Sequence, residues 1–199
     1  MRLFSALDID DEIRERIARF AEAVSGFAPD ARWARPDSLH VTLKFIGEQP
    51  EPILEDINGA LGTIAAGAVA LQFRGYGFFP TAKSPRVFWI GIEAGPELAT
   101  LAAAVDQQTA RLGVAKEDRA FSPHLTLARG GVRGTHSSGS PHRHKEDRPN
   151  RSFQCLQEKL AARPTPEFGT MTAHEFFLYQ SELGRGGSRY TKLSRFALK

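Results

Sequence analysis

Ser38-Leu39-His40-Val41-Thr42-Leu43 returns 84 residues later as Ser122-Pro123-His124-Leu125-Thr126-Leu127. Both copies read Ser-x-His-apolar-Thr-Leu, and a basic side chain follows each within two residues, Lys44 or Arg129. The alternation of apolar and polar positions, with β-branched residues, predicts a β-strand for each copy. Side chains at i and i+2 of a strand share a face. His40 and Thr42 therefore point one way, with Val41, Leu43 and Phe45 on the other side. His124 and Thr126 pair in the same manner, with Leu125 and Leu127 opposite. If the two strands face one another across a groove, two imidazoles and two hydroxyls converge on one small volume. One His-x-Thr in a strand carries little weight. Two copies with matched flanks in a chain of this size carry much more.

The chain outside the repeat is ordinary for a globular protein. Its 199 residues suffice for a substantial core and fit one domain or two fused lobes. A net charge of +3 permits an anionic ligand without demanding nucleic acid. The lone cysteine, Cys155, rules out an intrachain disulfide, suits a reducing compartment and reads as a buried helix residue. No signal-peptide pattern opens the chain, and the small-apolar stretch from Thr63 to Leu71 is too short to span a bilayer. A cytoplasmic protein that avoids membranes is the expectation.

Residues Arg2 to Ile9 alternate as a strand, and Ile13, Ile17, Phe20 and Val24 then recur at helical spacing up to Gly26. Arg32 to Asp37 reads as a linker into the first motif strand. Pro50 and Pro52 open a second helix with Ile53, Ile57 and Leu61 on its buried stripe. Ala68 to Phe79, bent at Gly75 and Gly77, forms a hairpin with Arg86 to Glu93. A helix from Gly95 to Gly113 leads to the second motif strand. Residues 130–151 hold four glycines, five basic side chains and one aliphatic, Val132, so they read as a mobile loop inserted into a single bilobal domain spanning 1–199. A helix from Ser152 to Ala162 and two strands, Thr170 to Gln180 and Arg189 to Leu198, close the chain. Short, hairpin-like connections favour an α+β fold with two mostly antiparallel sheets over a doubly wound parallel one.

Paired histidines near a neutral pKa of about 6.5 can stand as one base and one acid. That meets the requirement for cleaving a phosphodiester without a metal: one ring takes a proton from attacking water, the other gives one to the leaving oxygen. A hydroxyl two residues on can donate to the non-bridging phosphate oxygens, whose charge rises in the transition state. Threonine also suits the strand and restricts its own rotamer. Metal binding is the rival chemistry. His142-x-His144 lacks Cys, Asp or Glu partners at ligand spacing, and His40 with His124 lacks a third ligand, so neither a metal nor another cofactor is expected. His136 and the other loop histidines read as solvated, and His174 as a surface or edge residue.

These repeats resemble those of the two-histidine phosphoesterase superfamily, and within it the RNA 2′,3′-cyclic phosphodiesterases, also called 2′-5′ RNA ligases. The similarity extends to Arg2-Leu3-Phe4-Ser5-Ala6-Leu7, to Leu43-Lys44-Phe45-Ile46-Gly47, to Gly77-Phe78-Phe79-Pro80 and to Phe177-Leu178-Tyr179-Gln180-Ser181. The resemblance implies a two-lobed fold with outer helices, a pseudo-two-fold and a central cleft. It implies metal-independent hydrolysis of a 2′,3′-cyclic phosphate at an RNA end to a 2′-phosphate. It assigns His40 as proton donor to the 3′-oxygen, His124 as the base that activates water, and Thr42 and Thr126 to the phosphate; the near symmetry of the repeats does not decide donor from acceptor. Arg129 is a further candidate phosphate contact, although simple alternation puts it on the face opposite His124. Phe45 could stack on a base, but alternation assigns it to the core. The expected partner is RNA with a cyclic phosphate end, tRNA fragments among them, acted on by a monomer. Small cyclic nucleotides, 2′-5′ linked oligonucleotides and an RNA-end-binding module without turnover are the alternatives. The basic loop could track RNA phosphates.

Overall fold

The computed structural model describes residues 1–130, 153–184 and 187–199. The expectation of a mobile loop at 130–151 lies almost wholly outside the described residues. Among the described residues nine strands form two antiparallel sheets. The first sheet has the order β3-β1-β8-β9, from β1 (Arg2–Leu7), β3 (Val41–Glu48), β8 (Glu175–Gly184) and β9 (Gly187–Ala197). The second has the order β2-β6-β5-β4-β7, from β2 (Arg32–Trp33), β4 (Val69–Pro80), β5 (Pro85–Ala94), β6 (His124–Arg129) and β7 (Glu167–Ala173). Each motif strand pairs with the strand from which a helix leads toward it, β3 with β1 and β6 with β5. The order β3-β1-β8-β9 thus maps onto β6-β5-β4-β7, which is the internal two-fold expected from the repeat.

Four α-helices among the described residues cover the sheets: α1 (Asp11–Ser25), α2 (Leu54–Gly62), α3 (Pro96–Ala110) and α4 (Gln154–Ala161). The helices bind the halves together, because α1 follows β1 of the first sheet but packs on β7 of the second. Likewise α3 follows β5 of the second sheet but packs on β3 of the first. Phe20 of α1 meets the Phe168 ring edge-on at 5.2 Å between centroids. One continuous core runs through both halves, from Leu3, Leu7 and Val41 to Phe88, Ile90, Leu125 and Phe153. Burying a side chain of this size contributes roughly 1.5–3 kcal/mol, so the two halves share their main source of stability.

Three expectations need correction. The C-terminal segment holds three strands rather than two. A break at His174 lets the chain leave β7 in one sheet and enter β8 in the other. The Arg32-to-Asp37 linker contains β2, which pairs with β6 through Arg32–Arg129 and Trp33–Ala128. Cys155 is exposed, because Phe153, Leu156 and Leu160 take the buried stripe of their segment. No described helix is long and apolar enough to cross a membrane.

Candidate active site

The core faces of the sheets are set by Leu3, Ser5 and Leu7 in β1 and by Phe88, Ile90 and Ile92 in β5. The opposite faces carry the repeats. Residues directly paired in an antiparallel ladder share a face, so the register identifies this second face residue by residue. In the first sheet Ala6 pairs with Thr42, and Phe4 with Phe45. In the second, Gly91 pairs with His124, Trp89 with Thr126 and Val87 with Arg129. The two motif strands, β3 and β6, approach each other across the sheets.

Each strand carries a β-bulge just after its His-x-Thr. Leu43 has no partner in β1, and Leu127 has none in β5. A bulge places two neighbouring side chains on one face. Leu43 and Lys44 are both buried, as are Leu127 and Ala128. The fifth residue after each histidine is thereby returned to the histidine's face. This resolves Arg129 and overturns the reading of Phe45. Arg129 stands with His124 and Thr126, exposed and with no carboxylate partner among the described residues. Phe45 is 59% exposed beside Phe4 on the His40 face, not in the core. Lys44 is no counterpart of Arg129. Its ammonium is buried, donating to Asp106 Oδ1 of α3 and to the Ala115 carbonyl at 2.6 Å.

The imidazoles are held alike. His40 Nδ1 is 2.8 Å from the Ser38 carbonyl oxygen, and His124 Nδ1 is 2.7 Å from that of Ser122. A carbonyl only accepts, so Nδ1 carries the hydrogen in both rings and Nε2 is left for other work. The serine two residues upstream thus acts through its backbone. Around His40 lie Phe4 at 4.8 Å, Tyr190 at 5.1 Å and Tyr179 at 6.1 Å between centroids. Around His124 lie Phe79 at 4.9 Å and Trp89 at 6.2 Å. The Trp89 indole is seated over Gly77, where a Cβ would stand 2.1 Å from the ring. Thr42 and Thr126 are half-buried, and their hydroxyls have no hydrogen-bond partner among the described residues.

These walls set the electrostatics. Burial pushes the His40 imidazole down to about 4; the Ser38 carbonyl and the Asp8 carboxylate work against the fall, and Arg129 and His124 add to it. His124 is also lowered, by burial first, against the pull of the Ser122 carbonyl and with Arg129 adding to the fall. His40 therefore feels both His124 and Arg129, which places the three groups in one electrostatic neighbourhood. Asp8 was not singled out by the sequence. It extends from β1 next to the Leu7–Val41 pair. It accepts from Arg14 Nη2 at 2.6 Å, from the Ile9 amide at 2.9 Å and from Lys192. Burial alone would raise this carboxyl; Lys192, Ile9 and Arg14 hold it below the usual range. Arg14 also donates to the Pro36 carbonyl at 2.6 Å and the Leu39 carbonyl at 3.3 Å, fixing the approach to His40.

Among the described residues no cluster of three or more His, Cys, Asp or Glu side chains is arranged to hold a metal ion. His142 and His144 lie outside those residues, and His174 is exposed. The site is thus two fixed imidazoles, two hydroxyls and a guanidinium: two proton-transfer groups beside donors suited to an anion.

The chain matches the family described as LigT like Phosphoesterase over residues 7–89 and again over 90–190, one repeat in each segment. It is 33% identical to an RNA 2′,3′-cyclic phosphodiesterase of Archaeoglobus fulgidus, covering 98% of this chain and 99% of that one. It is 31% identical to the RNA 2′,3′-cyclic phosphodiesterase of Escherichia coli, over 99% and 96% of the two chains. Among solved structures, E. coli LigT complexed with 3′-AMP superposes with a TM-score of 0.75 at 30% identity, covering 99% of this chain and 97% of that one.

Proposed function

Because the chain belongs to the LigT like Phosphoesterase family, we propose that it hydrolyses RNA-terminal 2′,3′-cyclic phosphates to 2′-phosphomonoesters by paired acid and base catalysis. The supporting observation is the matched pair of Nδ1–H···O=C bonds at 2.8 and 2.7 Å, which leave both Nε2 atoms for proton transfer.

Water attacks phosphorus opposite the 3′-oxygen, and His124 Nε2 takes its proton. The P–O3′ bond breaks, and His40 Nε2–H protonates the departing oxygen. His124 ends charged and His40 neutral, and solvent returns the proton. Thr42 and Thr126 donate to the non-bridging oxygens, and Arg129 offsets the charge that grows on them. The family resemblance sets the order of donor and acceptor. His40 must be protonated to act, and burial opposes that in the free protein. The bound phosphate anion supplies the opposite charge that restores its proton. One chain carries the whole set, so a monomer acting in the cytoplasm is part of the proposal.

Purified protein in EDTA, given an RNA ending in a 2′,3′-cyclic phosphate, should yield the 2′-phosphate. His40→Ala and His124→Ala should each lower kcat by about 10²–10⁴-fold. Wild-type rates in both variants, or loss of turnover in EDTA alone, would overturn the mechanism.

A further inference from the structure

We infer that Arg32 sets the choice of substrate: beside Arg129 it holds the phosphodiester on the 5′ side of the terminal nucleotide, so that the end of an RNA chain is preferred to a free cyclic nucleotide. The inference rests on the phosphodiesterase reading above. Arg32 and Arg129 are direct ladder partners in β2 and β6, so they share a face. Trp33 identifies that face. Its ring turns inward and meets Phe88 edge-on at 5.9 Å between centroids, and successive side chains of a strand point to opposite faces. Arg32 therefore stands on the side of His124 and Thr126.

Like charges directly opposite in a ladder cost stability. Nothing among the described residues offsets this pair: both guanidiniums are exposed and neither has a carboxylate partner. Arg35, three residues on, is paired with Asp37 at 3.0 Å. Arg14, Arg16, Arg19, Arg74 and Arg195 are matched with carboxylates too. Two open guanidiniums side by side suit an anion that extends beyond one phosphate. Arg129 acts on both imidazoles, and on His40 more strongly than His124 does, so it belongs to the phosphate between the rings. Arg32 lies one strand further out, on the edge of its sheet, where a chain can leave the site. His40 serves the ribose 3′-oxygen in the mechanism above, so the ribose and the chain at its 5′ carbon lie toward this end. The first negative group along that chain is the phosphodiester joining the terminal nucleotide to the rest of the RNA. A guanidinium on its oxygens reads no base edge, so the preference is for a chain and not for a sequence.

Steady-state kinetics on three substrates test this: adenosine 2′,3′-cyclic phosphate, the dinucleotide adenylyl-adenosine 2′,3′-cyclic phosphate, and the same dinucleotide with a neutral methylphosphonate linkage. In Arg32→Gln, kcat/KM for the phosphodiester-linked dinucleotide should fall about tenfold, mostly through KM. The mononucleotide should be turned over as by wild type, and Arg32→Lys should keep most of the dinucleotide rate. In wild type the methylphosphonate should cost about the same tenfold, and in Arg32→Gln it should cost nothing further. An equal fall on mononucleotide and dinucleotide, an unchanged dinucleotide, or a wild-type enzyme indifferent to the methylphosphonate would overturn the assignment. Failure of the wild-type enzyme on all three would instead overturn the phosphodiesterase reading on which it stands.

Discussion

His40 and His124 share the same backbone partner two residues upstream but not the same neighbours. Opposite His124 in the ladder is Gly91, which has no side chain. Asp8, next to the Leu7–Val41 pair, raises His40 against its burial, and among the described residues no carboxylate does this for His124. This asymmetry bears on the assignment that the repeats alone leave open, since a nearby carboxylate favours the charged ring an acid needs. Asp8→Asn should lower the His40 pKa further, so the alkaline limb of the kcat profile should move to lower pH; an unmoved limb would count against this role. Stability carries the same signature. His40 titrates near 6.5 when unfolded and near 4 when folded. The unfolded chain therefore binds the extra proton between those values, and stability should be full above pH 6.5 and decline as pH falls toward 4. His40 can contribute at most about 3 kcal/mol to that decline. Urea denaturation at pH 7 and pH 4.5 should show a smaller difference in His40→Ala than in wild type, and an equal difference would argue against a buried neutral ring.

At the scale of elements, the two bulges separate what could be read from the sequence from what could not. Strand identity, and the shared faces of His40 with Thr42 and of His124 with Thr126, follow from apolar alternation. Alternation fails at Leu43 and Leu127, because a bulge depends on ladder pairing that no local pattern announces. In β6 the adjacent apolar pair Leu127-Ala128 was a usable hint; in β3 the charge of Lys44 concealed the equivalent step. That lysine is buried because α3 reaches it with Asp106. Asp106 also accepts from the Glu117 amide at 3.1 Å, securing the segment after α3. Lys44→Met should destabilise the fold by roughly 1–3 kcal/mol, because the Ala115 carbonyl loses its donor while the partly exposed Asp106 is rehydrated. Turnover per folded molecule should stay near wild type. A large loss of kcat in the folded variant would return Lys44 to the site.

Over the whole molecule, the halves are joined by exchange. Each half sends a helix to the other's sheet, and the core is continuous between them. The repeat made the two-fold legible, but not the crossing of helices, which depends on packing between distant segments. Nor did it reveal the aromatic walls: Phe4 and Tyr179 alternate out of phase with the core residues of their strands, and only the assembled sheet gives them a purpose. Shared construction makes relative placement of the two histidines a property of the entire fold. The most direct measurement follows both rings at once: a titration of ¹⁵N-histidine-labelled protein with a nucleoside 2′-phosphate, with His40→Ala and His124→Ala to assign the signals. The Nε2 resonances of His40 and His124 should shift together with one dissociation constant while both Nδ1 atoms remain protonated. A response from one ring alone, or two rings saturating at different concentrations, would contradict a single phosphate held between them.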